Sequence, residues 1–173
     1  MVIATSFVLL SIGSAAYLSA ATLNYLNYYP ARGQVNSALR VDSVSIVPGS
    51  NFSRIDSRVS IGNPTDYAGF RLGDAIVSIF FKVSNSNATL FEGVHLVQTE
   101  TVGGQLGPHS TVSRDIIVQL GPESVSSFAS FNSSYAGRVI AAVVLTVQVI
   151  TFLNTVTGRD SYMTTQDVPL SSR

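Results

Sequence analysis

Hydrophobic residues follow two different periods along this chain. From Val2 to Leu26 the sequence is predominantly apolar and carries no charged residue. As a helix this segment measures about 37 Å, which exceeds the roughly 30 Å of a bilayer core. After Gly33 the period changes to two, as in strands that bury one face. The pattern therefore predicts one long N-terminal helix followed by an all-β body.

About seven segments of the body carry the strand pattern. Segment 55–61 places Ile55, Val59 and Ile61 on one face and charged or polar residues on the other. Further strands are predicted at 75–83, 94–102, 110–120 and 161–170. The run 139–153 is short for a membrane span and rich in β-branched residues, which predicts a long central strand.

These elements divide the chain into three parts. Pro30 is expected to end the helix because proline cannot donate a backbone hydrogen bond. The predicted parts are a hydrophobic helix at 1–29, a linker at 30–38 and a β-domain at 39–173. The strand pattern favours an antiparallel β-sandwich, immunoglobulin-like or fibronectin-like in size, with an up-and-down barrel as the alternative. Pro122 suits the first turn of one short additional helix, with an irregular crossing as the alternative.

Small residues mark one face of the N-terminal helix. Ser11, Ala15 and Ser19 recur every four residues, a spacing that stacks them and lets another helix backbone approach closely. The stripe fits either a lipid-facing anchor or a helix that packs against copies of itself. A secretory signal peptide would carry a basic region before its apolar block, and none is present, so we expect the segment to be retained.

Composition argues against binding to nucleic acid and excludes cysteine chemistry. Ten basic residues balance ten acidic ones, and only 12% of residues are charged. Binding to nucleic acid needs uncompensated Lys or Arg, so no nucleic-acid partner is expected. The chain has no cysteine, which rules out disulfides and thiolate metal sites.

Two signals bear on which side of a membrane the body lies. The cations that flank the helix, Arg32 and Arg40, follow it, which by the positive-inside rule places the body inside. Three Asn-x-Ser/Thr acceptor triplets, at Asn51, Asn87 and Asn132, are typical of an exported, N-glycosylated protein. We favour the outside location, at the cell surface and associated with the membrane.

The sequence offers no catalytic constellation. Its two histidines, His95 and His109, form no metal-binding pair with each other or with a nearby carboxylate, and no nucleophile elbow or phosphate-binding loop occurs. We therefore expect no enzyme activity, no metal, no cofactor and no small-molecule substrate.

The segment around Asn63 and Pro64 resembles a known family. The sequence VDSVSIVPGSNFSRIDSRVSIGNPTDYAGFRLGDAIVSIFF, residues 41–81, alternates polar and apolar positions, stops at an Asn-Pro-polar turn and resumes with an aliphatic strand. This order resembles the LEA type 2 domain, also called the water-stress and hypersensitive-response domain, over about residues 39–170. The resemblance implies a non-enzymatic domain that is often carried on an N-terminal membrane helix and linked to desiccation or stress.

The chemistry of the Asn-Pro pair also predicts a turn, independently of the family resemblance. The side chain of Asn63 can turn back onto nearby backbone amides, and Pro64 fixes φ, so the pair predicts a structural turn that ends one strand. Pro64 also disqualifies Asn63 as a glycan acceptor.

Two non-enzymatic functions fit these features. The uncharged helix joined to a Ser- and Thr-rich β-domain resembles archaeal type IV pilins and archaellins, which implies that copies of the chain bundle their helices in the core of an extracellular filament. Met1 argues against this resemblance, because a processed pilin has lost its initiator. Alternatively, the helix spans a bilayer singly and tethers a LEA type 2-like domain with a stress-protective or partner-binding role.

Overall fold

The computed structural model describes residues 2–47, 54–84, 96–151 and 159–172. These residues form two helices, α1 (Val2–Val35) and α2 (Pro122–Ser134), and a 3₁₀ turn at Asn36–Ala38. The strands are β1 (Leu39–Val47), β2 (Arg54–Asn63), β3 (Phe70–Val83), β4 (Leu96–Thr101), β5 (Gln105–Leu106), β6 (Ser110–Gln119), β7 (Val139–Ile150) and β8 (Asp160–Ser172). The chain is thus mostly β with an N-terminal helix, as the sequence predicted.

The strands form one mixed, nearly barrel-shaped sheet. Their order is β4-β3-β7-β8-β1-β2-β6, with the short β5 paired beside β3, and the two outer strands β4 and β6 contact each other. Neighbours are antiparallel except β1 and β8, which are parallel. The expected antiparallel immunoglobulin-like sandwich is therefore wrong in topology, and the shape lies nearer to the barrel alternative.

The mixed topology arises because β8 changes partner along its length. Residues 160–169 pair with β7 in antiparallel register, whereas Leu170–Ser172 pair with β1 in parallel register. Strand β8 thereby joins two groups of strands that would otherwise form separate sheets. An alternating sequence shows which face of a strand is buried but does not identify its partner.

The central strands follow the alternation seen in the sequence. In β7, every second residue from Val139 to Val149 is buried, and in β3 the buried set includes Val77, Ile79 and Phe81. These side chains fill the interior of the barrel. The prediction that the run 139–153 forms a central strand, and not a second membrane span, is confirmed for the described residues up to Ile150.

The two helices lie at opposite ends of the barrel. We call the end where β3 begins, at Phe70, the proximal end, and the end where β3 finishes, at Val83, the distal end. The C-terminal part of α1, residues 27–35, packs at the proximal end, and we call it the base of α1. Helix α2 covers the distal end through Phe128, whose ring centroid lies 4.4 Å from that of Phe81. The predicted short helix is confirmed, with Pro122 at its start.

Helix α1 continues through Pro30 to Val35, so the prediction that Pro30 ends it is wrong. Residues 30–35, expected to begin a linker, are helical, and Ala31 and Val35 are completely buried. Proline removes one helical hydrogen bond, to the carbonyl of Leu26. Burial of the following turn against the barrel stabilises the helix enough to offset this loss.

Candidate functional site

The part of α1 that precedes its base is exposed on every side. All side chains described between Ala4 and Asn27 are exposed. Among the described residues of the chain this is the one helix long and apolar enough to cross a membrane, with a mean hydropathy of 1.6 over an 18-residue window. Large apolar side chains at least 44% exposed are Phe7, Val8, Leu9, Leu10, Ile12, Tyr17, Leu18, Leu23, Tyr25, Leu26 and Tyr29. We call residues 4–26 the exposed segment.

The small-residue stripe lies within this segment. Ser11, Ala15 and Ser19 are all exposed. The hydroxyl of Ser11 donates to the carbonyl of Phe7 at 2.9 Å, so its hydrogen-bonding needs are met inside the helix. A serine satisfied in this way can enter an apolar environment at little cost. Around Gly13 the helix backbone is also open, with no atom near the position of an added Cβ.

The base of α1 is anchored by aromatic contacts. Tyr28 is buried, and its ring lies 5.7 Å from that of Tyr67, which in turn lies 4.7 Å from Phe70 at the start of β3. Tyr29 and Tyr25 extend this row of rings outward along the helix. The row of rings runs from Tyr25 in the exposed segment to Phe70 at the start of β3.

Polar contacts fix the same base to β8. Asp160 accepts a hydrogen bond from the Tyr28 hydroxyl at 2.8 Å through one carboxylate oxygen and from Arg32 at 3.3 Å through the other. The Asp160 side chain is only 19% exposed, so this contact is partly shielded from water. One turn later, the Asn36 side chain accepts a bond from the Met163 backbone N–H at 2.9 Å. The base of α1 and the 3₁₀ turn that follows it are therefore both hydrogen-bonded to β8.

Strands β1 and β8 separate beneath this base. Their backbone pairing is confined to residues 44–46 and 170–172, near the distal end. Nearer the helix, the Gln166 amide bridges the strands by accepting from the Val41 N–H at 2.9 Å and donating to the Leu39 carbonyl at 3.1 Å. The amide reproduces the donor and acceptor of a missing backbone pair. A side chain therefore replaces backbone pairing between β1 and β8 over this part of the barrel.

The turn at Asn63 holds the backbone of Tyr67, whose ring belongs to this aromatic row. Asn63 is 1% exposed, and its side-chain oxygen accepts from the Thr65 N–H at 3.1 Å, as the sequence suggested. Its amide nitrogen donates to the carbonyls of Tyr67 at 2.7 Å and Gly107 at 3.0 Å. The single side chain therefore joins the turn after β2 to the loop after β5 and positions the Tyr67 backbone.

Two buried tyrosines near the helix base resist ionisation. Burial raises the pKa of Tyr67 to about 12, with a further contribution from Tyr28. Burial also raises the pKa of Tyr162 to about 12, helped by Asp160 and opposed by Arg32. Within the described residues the Tyr67 hydroxyl has no hydrogen-bond partner. Both rings act in packing as neutral groups at physiological pH.

Of the three proposed glycan acceptors, Asn51 and Asn87 lie outside the described residues. Asn132 is exposed on α2, at the distal end of the barrel. The hydroxyl of Ser134, the third residue of its triplet, donates to the Ser130 carbonyl at 2.9 Å within the helix.

The described residues contain no cluster of three His, Asp or Glu side chains suited to hold a metal ion. His95 lies outside those residues, and His109 contacts the exposed Asp66 at 2.8 Å. The sequence did not indicate the contacts that Asp160 and Gln166 make near the helix base. No local pattern identifies such long-range partners.

Comparisons with known proteins give only distant similarities. No family model matches the sequence, and no curated protein matches it. A solved protein from Archaeoglobus fulgidus is 9% identical with a TM-score of 0.45, over 76% of this chain and 98% of its own. AT1g01470 from Arabidopsis thaliana is 13% identical with a TM-score of 0.47, over 78% of this chain and 83% of its own.

A third solved structure is AvmM, which is described as catalysing macrocyclization in alchivemycin A biosynthesis. It is 13% identical with a TM-score of 0.37, over 77% of this chain and 86% of its own. At these identities and TM-scores, the similarities assign neither a family nor an activity to this chain.

Proposed function

We propose that this chain is a non-enzymatic structural protein of the cell surface that self-assembles through α1 into an extracellular, pilus-like filament. The β-body lies outside and the exposed segments bundle in the core. The observation that carries the proposal is the exposed segment itself, an uncharged apolar helix that continues without interruption into a buried base.

The exposed segment must be covered in the working protein. Soluble monomers rarely expose contiguous apolar patches of more than a few hundred Å². Eleven large apolar side chains of α1 are exposed, and each gains roughly 1.5–3 kcal/mol when fully removed from water. A bilayer before assembly and neighbouring helices afterwards both meet this need.

The fixed joint between helix and body favours assembly over a simple tether. Tyr28, Ala31 and Val35 are buried, and Asp160 binds two side chains of the helix. Such a joint gives every copy the same angle between helix and body. A repeating filament requires this uniformity, because each subunit must present the same surfaces to its neighbours. A tether functions equally well with a flexible linker.

The alternative function is a single-span anchor that holds a LEA type 2-like body with a stress-protective or partner-binding role. The exposed rings of Tyr25 and Tyr29 favour this reading, because tyrosine is enriched where a membrane helix meets the headgroup region. In both functions the body lies outside the cell, with Asn132 at the end far from α1 and available to a glycan.

Electron microscopy of material sheared from the cell surface distinguishes the two functions. We expect filaments that contain this chain and disappear when its gene is deleted. Recovery of the chain only as a detergent-solubilised monomer from membranes would exclude the filament and support the anchor.

Substitution of Ala15 by leucine tests the small-residue stripe. The added side chain should prevent close helix approach, so we expect filament yield to fall by about tenfold or more while membrane insertion is unchanged. The matched control is Ala20→Leu, the same change about 140° around the helix from Ala15. Normal filaments from the Ala15 variant would show that the stripe plays no part in assembly.

A further inference from the structure

A polar cleft opens at the proximal end of the body, where α1 leaves it. The cleft has a volume of about 270 Å³ and lies between the base of α1 and the turn that follows β2. This volume is near the lower end for small-ligand pockets. Its polar side chains include Asn27 and Gln34 on the helix, Thr65 and Asp66 on the turn, and His109.

The length of the exposed segment sets the depth of this cleft in a membrane. Leu26 is the last exposed branched aliphatic side chain of α1. A hydrocarbon core of about 30 Å takes up about 20 helical residues, so a core that ends at Leu26 begins near Phe7, within the uncharged run. The headgroup layer adds about 5–7 Å, or about four more residues. Asn27 and Pro30, which line the cleft, therefore lie at headgroup depth.

Contacts within the body hold the two sides of the cleft in place. On the helix side, the Tyr28 hydroxyl donates to Asp160 at 2.8 Å. On the other side, the Thr65 N–H donates to the Asn63 side chain at 3.1 Å, and the Thr65 carbonyl accepts from the His109 N–H at 3.2 Å. The cleft is therefore formed before a ligand enters it.

Asp66 gives the cleft its negative charge. Its side chain is 87% exposed, and one carboxylate oxygen contacts Nε2 of His109 at 2.8 Å. The other oxygen accepts no hydrogen bond from the described residues, so it is available to an ammonium group through a charge-assisted hydrogen bond. The side-chain amides of Asn27 and Gln34 carry N–H donors, which suit phosphate oxygens. A zwitterionic phospholipid headgroup carries both an ammonium and a phosphate.

We propose that this cleft binds the zwitterionic headgroup of a membrane phospholipid, with the ammonium at Asp66 and the phosphate at Asn27 and Gln34. The proposal rests on the membrane-inserted state that precedes assembly in the proposed function, and it applies equally to the single-span anchor. The proximal end of the body then lies against the bilayer. Helix α2, with Asn132, lies at the end far from the lipid.

A single tryptophan tests whether the turn lies at the headgroups. The chain has no tryptophan, so an introduced one reports its own position. The full-length Asp66→Trp variant would be reconstituted in phosphatidylcholine vesicles in which some lipids carry a nitroxide on the headgroup. The matched control is Ser127→Trp, which is exposed on α2 at the distal end. We expect fluorescence quenching about twofold or more stronger for Asp66→Trp, because the distal end lies beyond the headgroup layer.

Native mass spectrometry of the detergent-solubilised full chain tests the chemistry of the site. Titration with phosphatidylethanolamine and with phosphatidylglycerol should show tighter binding of the first lipid, since the second lacks an ammonium group and is repelled by Asp66. Asp66→Asn should lower the affinity for phosphatidylethanolamine by roughly tenfold. The control is Asp115→Asn, which changes an exposed carboxylate on β6 and should bind like the wild-type chain.

The outcomes separate this inference from the proposed function. Equal quenching of the two tryptophans, or equal phosphatidylethanolamine binding by the wild-type and Asp66→Asn chains, would overturn the headgroup site and leave self-assembly intact. Absence of filaments from the cell surface would overturn self-assembly, whereas the vesicle and titration results would still support the headgroup site on a single-span anchor.

Discussion

The two parts of α1 lie in opposite environments, although the exposed part is the more apolar of the two. The described side chains of residues 4–26 are exposed, whereas Tyr28, Ala31 and Val35, within the same continuous helix, are at most 3% exposed. The base is buried because it packs against the proximal end of the barrel, where Tyr28 contacts Tyr67 and Asp160. Apolar character alone therefore does not determine burial within this chain. The base belongs to the fold of the body, whereas we propose that the exposed segment contacts other molecules.

Two truncated chains test whether the exposed segment and the base of α1 contribute differently to stability. A chain that begins at Asn27 keeps the base, so we expect a soluble monomer whose unfolding free energy is within about 1 kcal/mol of the full chain. A chain that begins at Leu39 loses three buried side chains and should be destabilised by about 5 kcal/mol, a large share of a typical domain's stability. Chemical denaturation with sedimentation measures both. Equal stability of the two chains would show that the base is dispensable.

Introducing an aspartate into each part of α1 sharpens the comparison. Val35→Asp places a charge in a completely buried position and should lower the unfolding free energy by about 4 kcal/mol. Leu18→Asp changes a side chain that is 64% exposed, so stability should change by less than about 0.5 kcal/mol while membrane insertion or assembly fails. Thermal unfolding of detergent-solubilised protein measures the first effect and cell fractionation the second. Similar destabilisation by both changes would contradict the division.

Removal of the Asp160 carboxylate should weaken the joint without unfolding the body. Asp160→Ala deletes the acceptor of the Tyr28 and Arg32 bonds, at an expected cost of about 1–2 kcal/mol. The control is Asp115→Ala, whose contact with Arg58 is exposed and 3.8 Å long, with an expected change near zero. If Asp160 and Asp115 variants unfold alike, Asp160 does not hold the helix.

The smallest effect at neutral pH concerns the Tyr67 hydroxyl beneath the base. Its pKa is about 12 in the folded chain against 10.0 for an unperturbed tyrosine, so the folded state holds its proton more tightly. The resulting stability is complete below pH 10 and is lost as the pH rises from about 10 to about 12. Tyr67→Phe should weaken this alkaline loss and change neutral stability little, because it removes an unpaired buried hydroxyl. An unaltered alkaline unfolding curve would assign the loss to other groups.

The sequence by itself determined the long apolar helix, the strand pattern, the central place of β7 and the short helix that begins at Pro122. Each of these depends on neighbouring residues, through hydrophobic period, β-branching or the fixed φ of proline. The turn at Asn63 was also visible, because its side chain bonds to the backbone of Thr65, two residues away.

Only the tertiary structure decided the parallel pairing of β1 with β8, the near-closure of the barrel and the continuation of α1 through Pro30. It also decided that Asp160 and Gln166 become structural contacts. These features join residues more than a hundred positions apart, such as Tyr28 with Asp160 and Leu39 with Gln166. Periodicity records which face of an element is apolar, whereas the partner of that face depends on how the whole chain packs.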